Sequence, residues 1–174
     1  LHLSVAFLIL SIVFWFILEN LDIKKYKTLL PKNFLRLFLF VIIIQIILGA
    51  FLAGLDGGLL YNTWPDMNGS FIPNDIVLNE IFFLKSAGNP SVVQFYHRNS
   101  AYLILIFLII LNYIFFKNNF NFKSLIIFNF SIFLQVFIGI VTLITGVKII
   151  YASLHQIGSI LVLTSFLFIV YKNS

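Results

Sequence analysis

The chain has no cysteine, one methionine and only 10% charged residues among 174. Without cysteine there is neither a disulfide framework nor a thiolate metal site. The scarcity of charge excludes more. A soluble domain of this size is about half apolar and about a quarter charged, whereas this chain is 61% hydrophobic with a mean hydropathy of +1.06. Too little polar side chain is present to cover a water-facing surface, which leaves an all-α integral membrane protein. The net charge of +5 therefore does not speak for nucleic acid. The informative quantity is the side of the bilayer on which each Lys and Arg falls. The chain also lacks an initial methionine, a charged leader and a cleavage site, and starts inside an apolar run at Leu1. An upstream portion is expected to precede it.

What is present is a series of apolar runs. A span takes about 20 residues, and five can be drawn, at residues 1–18, 34–55, 96–116, 124–147 and 152–171. A polar, basic stretch, 19–33, follows the first. A long loop, 56–95, follows the second and holds Pro65, Pro73 and Pro90 with most of the turn-forming residues. Residues 117–123 form a tight turn and 148–151 a short link. Lys24, Lys25, Lys27, Lys32, Arg36, Lys117, Lys123 and Lys172 fall on one side, Lys85, Arg98 and Lys148 on the other. This split makes the first side cytoplasmic. It places the long loop, with Asp56, Asp66, Asp75 and Glu80, on the outer face, where spans one, three and five begin.

The three histidines, His2, His97 and His155, fall in the first turns of those three spans, at one depth. Small or modest side chains follow three and four residues later: Val5 and Ala6, Ser100 and Ala101, Gly158 and Ser159. Those positions share the histidine's helix face, so the face is kept low, as a flat, bulky ligand would need. A second repeat joins the spans between. Gln45 and Gly49 in span two correspond to Gln135 and Gly139 in span four, and each pair is followed by a further glycine, Gly54 and Gly146. A helix bearing Gln-x-x-x-Gly is thus followed twice by a helix opening with histidine, the pattern of two duplicated hairpins. Residues 34–172 are read as a four-helix transmembrane bundle, and residues 1–18 as the last helix of a preceding, similar unit. Gly49 and Ala53 suit close helix contact.

A histidine within a span is costly unless it is paired or ligating. Zinc takes about four ligands, commonly with cysteine or carboxylate among them, more than this chain supplies. Haem iron takes one or two axial ligands, and a porphyrin suits a bundle interior. His97 and His155, on alternate helices, have the arrangement to sandwich one. Plainer readings remain open. The histidines can be interfacial hydrogen-bonding residues, Arg98 an interfacial anchor rather than the partner of a haem propionate, and Gln45 and Gln135 interhelical donors. Asp56, beside Gly57 and Gly58, reads as a turn residue. The 22 phenylalanines read as lipid-facing surface and core filler.

The loop run Tyr61-Asn62-Thr63-Trp64-Pro65-Asp66-Met67-Asn68-Gly69, preceded by Ala53 to Leu60 and followed by Pro73, closely resembles the loop after the fifth helix of haem A synthases. The run Val93 to Arg98 resembles that family's next segment, and Leu154-His155-Gln156 the start of its last helix. The absence of loop cysteines is similar to the branch shared by mitochondria and many proteobacteria. The resemblance implies an eight-helix protein of two four-helix bundles, of which residues 34–172 are the C-terminal one. It implies that His97 and His155 ligate a haem b that passes electrons, and that His2 is a ligand in the substrate-haem site of the N-terminal bundle. The implied reaction oxidises a methyl group of haem O to a formyl group, making haem A for terminal cytochrome oxidase. The implied partners are haem O, the lipid bilayer, haem O synthase and cytochrome oxidase assembly factors. The implied setting is a bacterial or mitochondrial inner membrane, with the histidines near its outer face.

The chain departs from this pattern in one respect. The first three helices of the N-terminal bundle are not in it, nor the partner of His2, nor the family's acidic catalytic residue. The catalytic residues are expected upstream, and the chain alone is expected to bind haem without completing the oxidation. A second reading is a membrane cytochrome b that only carries electrons, although a transmembrane wire would stack histidines at two depths. A third is a haem-free transporter or assembly factor whose histidines relay protons.

Overall fold

The computed structural model describes residues 2–26, 30–73, 75–76, 88–118 and 123–174. Leu1, and Lys27, Glu80 and Lys85 from the charge count, lie outside those residues. Five helices follow in order: α1 (His2–Glu19), α2 (Lys32–Gly54), α3 (Pro90–Lys117), α4 (Lys123–Ile144) and α5 (Ile149–Lys172), with a 3-10 turn at Gly57–Leu59. Each of the five is long and apolar enough to cross a membrane. The chain is an all-helical membrane bundle.

Two helix starts differ from the sequence reading. Span three begins at Pro90, six residues earlier than the expected Tyr96, so the loop ends at Asn89. Pro90 reads as a loop residue, yet proline suits the first helical position, where its missing N–H would have no partner anyway. Asn89 caps the helix, its side chain accepting from the N–H groups of Ser91 and Val92. Span five likewise begins at Ile149 rather than Ala152. His97 and His155 therefore sit about two turns inside their helices, while His2 opens α1. The 28 residues of α3 run about 42 Å, longer than the roughly 30 Å hydrocarbon core.

α2 packs with α3 and α4 with α5, in two hairpins, and α1 lies against α5 and α2. The end carrying most of the lysines is closed by aromatic rings. Phe38 of α2 stands 4.7 Å from Phe166 of α5, 5.2 Å from Phe107 of α3 and 5.6 Å from Phe128 of α4, ring centre to ring centre. One ring from each helix thus fills the same layer, and Phe38, Phe128 and Phe166 are 0% exposed. Asn112 and Asn129 exchange two amide hydrogen bonds, 2.9 and 2.8 Å, between α3 and α4. The 19–33 stretch is tied down at this end by the C-terminus. Tyr26 N–H donates to Lys172 O at 2.8 Å, and the Asn173 amide bonds both backbone groups of Leu30.

The other end, which carries the histidines, is packed differently. Buried side chains stop at Ile42 on α2 and begin only at Gly158 on α5. On α4 they end at Ile132, with Thr142 alone beyond it. On α3 none is buried between Gln94 and Ile104. The helices at this end bury few of their own side chains.

Candidate functional site

At that end α3 brings His97 and α5 brings His155. Their ring centres are 6.5 Å apart with the ring planes at 79°. Each imidazole is backed by the Gln-x-x-x-Gly of the preceding helix. The Gln45 amide nitrogen lies 3.3 Å from His97 Nε2, and that of Gln135 lies 3.5 Å from His155 Nε2. One turn on, the glycine makes room for the ring. A Cβ at Gly49 would stand 3.2 Å from His97 Cε1, and one at Gly139 only 2.8 Å from His155 Cε1. The glycine is therefore spent on imidazole against helix backbone, not on the helix-to-helix contact expected of Gly49 and Ala53.

The small residues after each histidine also have a different reason from the one expected. Ser100 donates its hydroxyl to Gln45 Oε1, and Gly158 lies under Gln135 Oε1. Those positions are small because the glutamine crosses there. Gln45 and Gln135 are interhelical hydrogen-bonding residues, the plainer of their two readings.

His2 stands apart. It is exposed at the first position of α1, and no group of three His, Cys, Asp or Glu side chains gathers among the described residues. The α1 stripe of Leu3, Ala6, Phe7 and Leu10 instead faces Ser153, Gln156, Ile157 and Ile160 of α5 across a cavity of about 400 Å³.

Arg98 is committed to the loop. Its Nη1 donates to Thr63 O at 2.9 Å and Asp66 O at 2.6 Å, and its Nη2 to Tyr61 O at 2.7 Å. Gln94, one turn earlier and buried, donates to the same Tyr61 carbonyl at 3.0 Å. One turn later the Tyr102 hydroxyl faces Pro65 O at 3.5 Å. Residues 94, 98 and 102 share one face of α3, and loop residues 61–66, with a cis Trp64–Pro65 bond, are laid along it. The guanidinium expected for a propionate thus spends three of its five N–H donors on loop carbonyls. Nε is buried without a partner.

The loop has further ties. Tyr61 and Ser91 both donate hydroxyls to Asp75, and Asn62 donates to Leu143 O at the end of α4 at 3.0 Å. The Ser91 hydroxyl, and after it Tyr61, holds the Asp75 carboxyl below its ordinary range. Thr63 does the same for Asp66. Asp56 has φ 51° ahead of the 3-10 turn, as a turn residue should. The sequence alone assigns Gln94, Tyr61, Asp75 and Ser91 no part in the site: Asp75 stands there only among the outer-face acids, and Tyr61 and Gln94 only within the runs that carry the resemblance. The i, i+4 spacing of Gln94 and Arg98 was the one signal available.

Five buried side-chain atoms have no hydrogen-bond partner among the described residues: Gln94 Oε1, His97 Nδ1, Arg98 Nε, Gln135 Oε1 and His155 Nδ1. Unpartnered buried polar atoms are rare and call for an explanation. All five lie in the histidine half. Two imidazoles from alternate helices face each other with no carboxylate beside them among the described residues, a pair that could serve a metal taking two such ligands.

Residues 1–167 match the cytochrome oxidase assembly protein family, COX15-CtaA. A heme A synthase of Pelagibacter ubique (strain HTCC1062) is 55% identical over 173 residues, 99% of this chain and 52% of that one. Heme A synthases of Wolbachia pipientis wMel and Rickettsia africae (strain ESF-5) are each 35% identical, over 97% and 94% of this chain and 48% and 50% of their own length. The chain thus spans about half the length of the curated relatives it matches. No solved structure matches it.

Proposed function

This chain belongs to the cytochrome oxidase assembly protein family, and from that premise we propose that it supplies the haem b site of a haem A synthase, with His97 and His155 as the two axial ligands. The observation that carries the reading is the facing pair. A metal held at about 2 Å by an imidazole nitrogen on each side needs ring centres about 6 Å apart, and these stand at 6.5 Å. The surrounding half-bundle supports it, burying few side chains and carrying unpartnered polar atoms.

With both axial positions filled by histidine, the bound haem would carry single electrons and leave no site for oxygen. The chain's own residues would do the rest. Gly49 and Gly139 let the imidazoles lie against the helices, and the Phe38 layer closes the floor toward the lysine end. Arg98 holds the loop beside the site, and its unpartnered Nε is one donor left for a propionate. In the whole protein the reaction would be oxidation of a haem O methyl to a formyl group, with His2 in the substrate site and the catalytic residues outside this chain. Haem O, and the proteins that deliver it and receive haem A, would be the partners. The histidine end would face outward from a bacterial or mitochondrial inner membrane.

The test is a visible spectrum of the purified full-length protein. His97→Ala and His155→Ala should each remove the low-spin haem b signal, and a spectrum unchanged in both ends the reading. The competing electron carrier is separated by extracting haems after expression with a haem O source. Haem A in the extract that is lost in His2→Ala supports the synthase, and no haem A at all supports the carrier.

A further inference from the structure

The two glutamines of the repeat do more than bridge helices. The Gln135 amide nitrogen donates to the His155 carbonyl at 2.9 Å. A carbonyl oxygen only accepts, so this contact fixes which end of the carboxamide is nitrogen. The second hydrogen of that nitrogen faces His155 Nε2 at 3.5 Å. An imidazole nitrogen that faces an N–H donor is the acceptor, which puts the ring proton on Nδ1 and keeps the Nε2 lone pair available. The other hairpin repeats the device with different parts. Ser100 Oγ lies against Gln45 Oε1 and 3.1 Å from the His97 carbonyl, and the Gln45 amide nitrogen stands 3.3 Å from His97 Nε2. Gly158 takes the place of Ser100 in the second hairpin, and there the histidine's own carbonyl does the orienting.

We propose that Gln45 and Gln135 are positioning residues that hold His97 and His155 as the Nδ1–H tautomer, with Nε2 ready to ligate. This rests on the haem reading above. With haem bound, each Nε2 would be the ligating atom in place of its contact with the amide, and no proton would have to leave the ring. Gln135 keeps its bond to the His155 carbonyl throughout, and Gln45 keeps Ser100. A histidine in the other tautomer would have to move its proton within a dry interior before it could bind.

The experiment uses full-length protein labelled with nitrogen-15 histidine, prepared without haem and then titrated with hemin. The variants are Gln45→Leu, Gln135→Leu and Gln135→Glu, all close in shape to glutamine. In the unaltered protein both histidines should show the Nδ1–H signature. Each Leu variant should convert its own histidine to a mixture while leaving the other unchanged, which also reports an intact fold. Hemin affinity should fall about 10–100-fold in the Leu variants, the range for lost outer-shell partners. It should fall further in Gln135→Glu, whose carboxylate only accepts and draws the proton to Nε2. Unchanged tautomers with unchanged affinity in all three variants overturn the proposal, as does an Nε2–H signature in the unaltered protein. If the tautomers shift as expected but the unaltered protein binds no hemin, the haem reading fails and the positioning role stands.

Discussion

The four helices of this bundle are packed in two ways along their own length. At the lysine end a ring from each helix meets in one layer, with Phe38, Phe128 and Phe166 fully buried. At the histidine end the same helices bury few side chains, and the five unpartnered buried polar atoms lie there. Between helices in lipid there is little hydrophobic drive, because the tails are as apolar as the side chains, so close packing itself holds the bundle. The ring-filled, closed half supplies that packing, and the sparsely packed, open half supplies little of it.

The largest expected effect tests the closed half. Phe38→Ala removes the ring that touches all three neighbours and should lower stability by about 3–5 kcal/mol, read as detergent-solubilised thermal unfolding. A loss no larger than that of an exposed ring such as Phe133→Ala would show that the aromatic layer is not what holds the helices. The next effect tests the open half. Hemin at 100 times its dissociation constant should stabilise the unaltered protein by about 2.7 kcal/mol, and His97→Ala/His155→Ala should lose all of it. The same double variant without hemin should unfold close to the unaltered haem-free protein. A large loss there would mean that the histidines hold the fold rather than a ligand.

A smaller effect separates the site from its cover. Arg98→Lys keeps the charge but not the fork that reaches Tyr61, Thr63 and Asp66 at once. Each of those bonds is worth about 1 kcal/mol, so the loop should open locally by one to a few such bonds while the ring layer is untouched. Hydrogen exchange should rise at the Met67 and Asn68 amides and stay constant in the lysine half of α5. Equal change at both ends would erase the distinction between the halves.

Part of this contrast was legible in the residues. Five spans follow from apolar length, and the paired histidines from the Gln-x-x-x-Gly repeat. The reasons behind the repeat were not legible. Gly49 looks small for a helix contact and Ser100 for a ligand's sake until the structure shows an imidazole over one and a glutamine on the other. Arg98 could not be assigned to the loop because its partners are backbone carbonyls, which no sequence displays. Pro90 misled because proline marks loops and helix starts alike. The phenylalanine layer was hidden by composition: phenylalanine serves both lipid-facing and buried positions here, so Phe38 and the exposed Phe133 read alike.

The smallest effect is a pH dependence confined to the histidine end. The Ser91 hydroxyl, with that of Tyr61 behind it, favours the Asp75 carboxylate and lowers its pKa in the folded chain. A carboxyl whose folded pKa is depressed contributes its full stabilisation above the ordinary carboxylate range and loses it as pH falls through the folded value. The tie between Asp75, Tyr61 and the start of α3 should therefore hold unchanged through neutral pH and loosen only in acid. Asp75 is solvent-exposed, so water screens the interaction and the change should be less than that of Arg98→Lys. Tyr61 hydroxyl reporters, such as its ultraviolet band or a ring proton shift, should follow this acid transition and lose it in Asp75→Asn. The apolar layer around Phe38 contains nothing for a proton to act on, so its ring signals should stay constant over the same range. A parallel acid shift in those rings would mean that the two ends are coupled through the helices, and that the loop's ties reach the floor of the site.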